Sequence, residues 1–441
     1  MFKKVLPLSL ILFLRFLGLF LVLPVLSVYA LDLKGATPFL VGVIVGGYAL
    51  TQAIFQVPFG SMSDKIGRKP TILLGLLIFL IGSLICAYAT DIYALMLGRF
   101  LQGAGAIGSV VTAMIADLVE EKTRGHAMAI MGGFIAMSFA FAMALGPVIA
   151  AHYGIGSIFV ITAVLALVAI VVLFVSVPTP PKIKHIYHGK TSTKDILKDS
   201  NLLSMIIINA MQKGLMTAAF VIIPLFLTQP EYGFNWEKSE LWMVYAPAMV
   251  AGLIAMGPAA VFGEKRNIPK QIFMVSIVLF SASFVMMGLT DSSGVFITAV
   301  IFFFVAFNMM EPLVQSMISK FAKVHQKGAA LGIANSVAYF FTFIGGTFAG
   351  LYLDINSRES LGLTIGGIAF AWLIFTAVKM KNPIGYSHLV ISENRVDFDK
   401  LNTLESEHIA EWFINETEKV VVIKYISEKL NEDDLKEKIL T

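Results

Sequence analysis

The sequence has little of what enzymes and disulfide-stabilised secreted domains depend on. Its 441 residues include one cysteine, Cys86, and seven histidines, and only 14% of them are charged. A single cysteine excludes a disulfide framework and any cysteine-based metal site. No Ser/His/Asp arrangement, histidine-rich pattern or phosphate-binding loop stands out. We therefore expect no enzyme activity, no metal and no cofactor, and the small net charge of +4 gives no reason to expect a nucleic-acid partner.

Apolar residues are what the chain has in excess. They make up 57% of the sequence, and the mean hydropathy is +0.81. A soluble domain could not bury so much apolar surface, so most of it must face lipid or other helices. Runs of about 20 apolar residues, enough for a helix to cross a bilayer, predict twelve spans, at 5–30, 38–59, 71–89, 92–118, 127–151, 155–177, 202–228, 241–262, 270–290, 294–318, 328–353 and 361–380.

The first run begins like a secretory signal peptide, but its length and the presence of Arg15 and Pro24 within it favour a retained membrane span. Lys and Arg residues cluster in alternate loops, whereas the other loops hold only Lys34, Lys238 and Arg358. By the positive-inside rule this distribution predicts that both termini are cytoplasmic. We expect a multi-pass protein of the bilayer, in a bacterial inner membrane.

A short charged hairpin joins the second and third runs. Its pattern is Gly60-x-x-x-Asp64-Lys65-x-Gly67-Arg68-Lys69. Glycine permits tight turns and close backbone approach, and the two charges of opposite sign can pair with each other or with a helix end. The positive-inside rule alone would explain the basic residues but neither Asp64 nor the two glycines.

This hairpin resembles the signature loop between helices two and three of the major facilitator superfamily, at every fixed position. The resemblance implies a conformational latch, in which Asp64 caps the N-terminal end of span eleven near Gly328 and Arg68 pairs with Asp117. Gly60, Gly67 and Lys69 belong to the same motif, and Arg124 follows span four. The resemblance also implies that the two halves of the protein rock when the latch opens.

Weak internal repeats support two halves. Arg15 and Pro24 in span one are matched by Lys213 and Pro224 in span seven, about 200 residues later. Parallel six-helix halves with a substrate site between them near the midplane are typical of this transporter class. We expect an N-terminal bundle (1–177), a cytoplasmic linker (178–201), a C-terminal bundle (202–383) and a cytoplasmic tail domain (386–441).

Three further motifs extend the resemblance. Arg99-x-x-Gln102-Gly103 is similar to the helix-four motif of the superfamily, and Gly146-Pro147 to the helix-five motif of its drug/proton antiporters. Alanines 142, 150 and 151 stand where that second motif has glycine. The segments 15–26 and 307–311 resemble the YajR-type branch of these antiporters.

Charged residues within the membrane are functional candidates because burying them is costly. Arg15, Arg99, Lys213 and Glu311 are therefore assigned to a proton or substrate pathway. Glu311 is the one deeply placed carboxyl, and it either carries the proton, forms a structural ion pair or caps a broken helix before Pro312. Arg15 either binds substrate, tunes a neighbouring acid or packs against the helix-four motif.

The tail changes to a polar, alternating pattern. It predicts strands at 388–392, 409–414 and 420–426 and helices at 398–407 and 432–440. This β-α-β-β-α order is most of a ferredoxin-like unit without its fourth strand. We expect the tail either to contact another partner, to dock on the cytoplasmic face of the transporter itself or to be inert.

The fold class expected is thus an all-α membrane protein of twelve spans in two pseudo-symmetric bundles, with a small α+β tail. Its expected function is proton-coupled export of drug-like or amphipathic small molecules by alternating access. Two alternatives stay open. One is an organic-anion or phosphate-ester exchanger that uses Arg15 and Lys213, and the other is a non-transporting sensor that signals through the tail.

Overall fold

The computed structural model describes residues 2–119, 121–178, 193–232, 234–322, 326–382, 386–404, 409–415, 419–426 and 431–439. Within these ranges, eleven helices are long and apolar enough to cross a membrane. One of them, Glu121–Val175, contains two spans, because Gly154 adopts a φ of 76° and a non-helical ψ of 166°. Only glycine adopts such values without strain. Because this bend divides one helix into two spans, the eleven helices correspond to the twelve predicted spans.

Short connections separate most of the spans, and the longest, of 24 residues, lies between Val175 and Ser200. Their helices are Phe2–Leu21 with Leu23–Leu31 (span one), Pro38–Ile66 (two), Arg68–Ala87 (three), Ile92–Ala104 with Gly108–Leu118 (four), Glu121–Val175 (five and six), Ser200–Thr228 (seven), Trp242–Lys265 (eight), Pro269–Leu289 (nine), Ser293–Phe321 (ten), Lys327–Ile355 (eleven) and Arg358–Lys379 (twelve).

Several spans begin where the sequence supplies a side-chain cap. Asp91 and Asp199 accept hydrogen bonds from the first turns of spans four and seven, and Thr37 and Ser357 do the same for spans two and twelve. These oxygens satisfy N–H groups that have no partner within a helix. The caps therefore fix where the chain turns back into the membrane.

The two ends of the bundle differ in how closely the halves approach. We call the end where span one begins the terminal side, and the other end the distal side. On the distal side spans two and eleven cross so tightly that a Cβ built on Gly42 would lie 2.2 Å from the Gly346 carbonyl oxygen. Small residues permit such contact. The Ser27 hydroxyl also reaches the Phe220 carbonyl oxygen across the two halves, at 3.3 Å.

On the terminal side the glycines of spans eleven and five have no such close neighbour. No described atom lies within 4 Å of a Cβ built on Gly328 or Gly332 of span eleven, or on Gly132 or Gly133 of span five, apart from each helix's own nearby backbone. From the tight distal crossing and these open surroundings we infer a conformation that is closed distally and open on the terminal side.

The tail forms a small unit with its own core. Strands β1 (Tyr386–Ser392), β2 (Ile409–Asn415) and β3 (Val420–Ile426) make an antiparallel sheet in the order β1-β3-β2, with helices Phe398–Leu404 and Glu432–Ile439. The predicted β-α-β-β-α order is present. Predicted helix ends at 405–407 and 440 lie outside the described residues, and the ferredoxin-like assignment stays a prediction.

The tail docks on the terminal side. The Lys424 ammonium donates to the carbonyl oxygens of Lys320 and Ala322, at 3.0 and 3.3 Å. These carbonyls end span ten, where the helix dipole is negative. The lysine therefore joins the sheet to the span that carries Glu311.

Candidate functional site

The charged hairpin is built around Gly67 and Arg68. Gly67 has a φ of 99°, a value that side chains disfavour, and it ends span two so that span three begins at Arg68. The Arg68 guanidinium donates to the Asp117 carboxylate at 3.0 Å, to Asp64 at 2.6 Å and to the Ser63 hydroxyl at 2.6 Å. The predicted pairing with Asp117 is present. Ser63 is a partner that the sequence analysis missed.

Asp64 does not occupy its predicted position in this conformation. Its side chain is 66% exposed and pairs with Arg68, the first residue of span three. At the N-terminal end of span eleven, Gln326 provides no side-chain cap. The predicted contact of Asp64 with this end near Gly328 is not made in this conformation, where Asp64 pairs with Arg68, and the cap stays a prediction.

The other hairpin residues fit the same open arrangement. A Cβ built on Gly60 would find its nearest described neighbour, the Ser109 hydroxyl, at 3.9 Å, so no helix approaches closely. Lys69 is partly buried at the start of span three. The Arg124 side chain lies outside the described residues.

An ion pair lies near the middle of the C-terminal half. The Lys213 ammonium is 2.8 Å from both Glu311 carboxylate oxygens, and the Gln212 amide donates to the same carboxylate at 3.0 Å. The Lys213 and Glu311 side chains are 23% and 36% exposed. Glu311 lies ten residues from the end of span ten, or about 15 Å along the helix. The structure therefore contains the ion pair that was one alternative for Glu311. The partial exposure of the Glu311 side chain leaves its carboxylate accessible to solvent.

Aromatic side chains lie beside this pair and connect the halves. The Lys213 ammonium lies 4.9 Å from the centre of the Phe307 ring. The Phe139 ring of span five lies 5.5 Å from Phe307 and 6.1 Å from Phe220 of span seven. These three rings, Phe139, Phe220 and Phe307, are buried, and we call them the aromatic cluster. Composition alone could not select them from 35 phenylalanines.

Arg15 is completely buried in the N-terminal half. Its guanidinium donates to the Gln52 amide oxygen at 3.3 Å and lies 5.4 and 5.5 Å from the rings of Phe16 and Phe79. Within the described residues no carboxylate pairs with it, and its Nε and Nη1 atoms have no hydrogen-bond partner. Of the three alternatives for Arg15, the tuning of a neighbouring acid has no support, because no described carboxylate pairs with it.

Arg99 belongs to a buried network that connects spans two, three and four. It donates to Gln102 at 2.7 Å and to the Ile44 carbonyl oxygen at 3.4 Å, and Gln102 donates to Ser83 at 2.9 Å. A Cβ on Gly103 would lie 1.8 Å from the Tyr48 carbonyl oxygen. In this conformation the helix-four motif therefore packs three spans together and does not face the opening.

The helix-five motif packs against the interruption of span one. A Cβ on Gly146 would lie 2.2 Å from the Leu21 carbonyl oxygen and 3.2 Å from the Pro24 ring. Span one is interrupted at Val22, between its two helices, and Pro147 directly follows the glycine. The missing side chain at Gly146 is what permits this contact.

With this geometry established, comparisons identify the family. The sequence profile of the Major Facilitator Superfamily matches residues 8–346. The chain belongs to this superfamily. It is 34% identical over 440 residues to the inner membrane transport protein YajR of Escherichia coli (strain K12), covering 97% of this chain and 94% of that protein.

Further comparisons agree with membership in the superfamily. Multidrug resistance protein 2 of Bacillus subtilis (strain 168) is 27% identical over 360 residues, which cover 78% of this chain and 87% of that protein. The crystal structure of a D-xylose-proton symporter has a TM-score of 0.71 at 15% identity, and the match covers 87% of this chain and 99% of that one. The predictions of a multi-pass membrane transporter, of the major facilitator fold and of a protein that is not an enzyme are confirmed.

Proposed function

We propose that the protein is a proton-coupled secondary transporter that exports drug-like or amphipathic small molecules by alternating access. The observation that carries this proposal is the Lys213–Glu311 pair, which is partly exposed and lies beside the aromatic cluster. A carboxylate at this depth can bind either a proton or a cation. This exchange is the chemistry that antiport requires.

Protonation of Glu311 would remove the negative charge that compensates Lys213. An unpaired charge in a low-dielectric interior is costly, so the protonated state favours a conformation in which Lys213 finds water or another partner. A proton that enters from one side and leaves on the other thereby biases the conformational equilibrium. The membrane potential adds about 2.3 kcal/mol per 100 mV for each charge that crosses the whole membrane.

The aromatic cluster supports an amphipathic substrate. Its rings are buried against one another in the described state, so they would become available to a substrate when the halves move. Flat aromatic surfaces bind ring systems and organic cations without demanding one shape. The charged pair beside Phe307 adds a polar contact at one end of such a molecule. The multidrug resistance proteins among the relatives support the same substrate class.

The positions of the positively charged loops indicate which side of the bundle faces the cytoplasm. We propose that the terminal side is cytoplasmic, so that the described state opens inward. When the protein opens outward, Asp64 would reach the N-terminal end of span eleven and act as the predicted latch. Carboxylates at helix N-termini contribute about 0.3–2 kcal/mol.

The organic-anion alternative has less support. A dianion site needs two uncompensated cations, but Lys213 is paired with Glu311. Arg15 is fully buried in this conformation. Of the two cations in this alternative, Arg15 has two nitrogen atoms without a hydrogen-bond partner among the described residues and so retains anion-binding capacity.

Transport into proteoliposomes with an imposed pH gradient tests the proposal, with panels of cationic, neutral and anionic compounds. We expect gradient-dependent movement of amphipathic cations or neutral compounds, and loss of that movement when an ionophore collapses the gradient. Gradient-independent exchange restricted to anions would contradict it and favour the alternative.

A further inference from the structure

A carboxylate of span eleven reaches across to the distal end of span two. Asp354, in the last turn of span eleven, accepts a hydrogen bond from the backbone N–H of Phe39 at 3.0 Å. Phe39 is the second residue of span two, which begins at Pro38. A residue of the C-terminal half therefore caps the start of a span in the N-terminal half.

This contact satisfies a specific need of span two. The first N–H groups of a helix have no partner within it. The Thr37 hydroxyl accepts from Leu40 at 3.2 Å, Pro38 has no N–H to satisfy, and Asp354 accepts from Phe39. The negative carboxylate also lies at the positive end of the helix dipole.

The neighbouring backbones hold Asp354 within reach. A Cβ on Gly350, one turn before Asp354, would lie 2.3 Å from the Pro38 carbonyl oxygen. This contact is available only while spans two and eleven are crossed tightly at their distal ends. Because Asp354 is at the exposed rim, water can replace the contact when the halves separate.

Asp354 and Asp64 occupy equivalent places on opposite sides. Asp64 lies in the last turn of span two, and Asp354 lies in the last turn of span eleven. Each span thus ends in a carboxylate on the side where the other span begins, and the two carboxylates lie on opposite sides of the membrane. In the described state the Asp354 contact is made, while Asp64 pairs with Arg68 instead.

We propose that Asp354 is a distal latch, a positioning residue that stabilises the terminal-side-open state by capping span two, and that it alternates with Asp64. This inference rests on the alternating access proposed above. A second contact supports distal closure, because Lys238 of the C-terminal half pairs with Asp32 of the N-terminal half at 2.5 Å. That pair is largely exposed and contributes little alone.

Two inter-half distances in the full-length protein, reconstituted in lipid nanodiscs, test the inference. Spin labels at Thr90→Cys and Ser239→Cys report the distal opening, and labels at Ser61→Cys and Glu264→Cys report the terminal opening. All four positions are exposed. The native Cys86 is buried, so labels attach at the introduced cysteines.

The variant Asp354→Ala should shift both distance distributions toward the distal-open state, changing the ratio of states by roughly 2- to 30-fold, as expected for loss of a helix cap. Asp354→Asn retains an acceptor oxygen and should recover part of the shift. Asp64→Ala should move the ratio in the opposite direction. The matched control is Asp291→Ala, because Asp291 is on the same side but pairs with Arg358 within one half.

Unchanged distances in Asp354→Ala, or an equal shift in Asp291→Ala, would overturn the inference. If Asp354→Ala does not fold, as judged by size-exclusion chromatography, Asp354→Asn decides in the same way, with a smaller shift. Failure of the proposed function has a different signature. The distances would shift in the variants while the wild-type protein shows no gradient-driven transport.

Discussion

Replacement of Glu311 by glutamine separates a proton carrier from a structural ion pair. Glutamine keeps the shape and an acceptor oxygen for Lys213, but it cannot bind and release a proton. Loss of one partner costs about 3–5 kcal/mol in a fully buried pair and about 0–1 kcal/mol in an exposed one. With side chains 23% and 36% exposed, we expect Glu311→Gln to lower the free energy of unfolding by about 1–3 kcal/mol.

The double variant Lys213→Gln/Glu311→Gln removes both charges and should recover at least half of the free energy of unfolding that Glu311→Gln loses. Neither variant should retain transport driven by a pH gradient in proteoliposomes. The matched control is Glu359→Gln, because Glu359 is an exposed carboxylate at the start of span twelve, outside the opening. If Glu311→Gln transports with the wild-type dependence on the pH gradient, Glu311 is only structural and the reasoning fails.

Three other predictions address the latch, the packing and the tail. Asp64→Asn should slow transport at least tenfold while the protein stays folded, because its carboxylate is needed only in the outward-open state; undiminished flux would refute the latch. Gly103→Ala should lower the melting temperature sharply, because the new methyl group would lie 1.8 Å from the Tyr48 carbonyl oxygen. Gly108→Ala should be tolerated, because no described atom lies within 4 Å there apart from nearby backbone, and equal melting temperatures would contradict this packing. In the tail, backbone N–H groups of Lys400 and Asp399 lower the pKa of Asp397. The contribution of these hydrogen bonds to the stability of the tail is complete above the ordinary aspartate pKa and is lost as pH falls through the lowered pKa of Asp397. Hydrogen exchange of tail peptides should therefore accelerate in acid, and Asp397→Asn should remove this dependence; an unaltered pH profile in that variant would contradict the assignment.

Much of the fold was predictable because local chemistry determines it. Apolar runs of bilayer length gave the twelve spans, including the boundary that Gly154 makes between spans five and six. Alternation and turn residues in the tail gave all three strands and both helices. Arg68 and Asp117 were predicted as a pair from the signature motif, and the structure brings them together.

The partners of Asp64 could not be predicted in the same way. A transporter sequence must fit two conformations, so a motif identifies the residues of a latch without indicating which state is populated. In the described state Asp64 pairs with Arg68, and the distal contact of Asp354 takes the place of the predicted one. The sequence signal for Asp354 was weak, because one acidic residue near a helix end is common.

The polar and aromatic surroundings of the ion pair were also missed. Gln212 precedes Lys213 directly, but its role depends on span ten lying beside span seven. Phe139, Phe220 and Phe307 are far apart in sequence and meet only when the halves pack together. Such contacts follow from tertiary packing, which periodicity along one helix does not encode.

The central claim is that protonation of Glu311 drives the exchange between the two openings. The most direct test is to record the distal and terminal distances of wild-type protein and Glu311→Gln across a pH titration in nanodiscs. We expect the wild-type distances to change in opposite directions with pH and those of Glu311→Gln to stay constant. A pH-dependent shift of the same size in Glu311→Gln would contradict the claim.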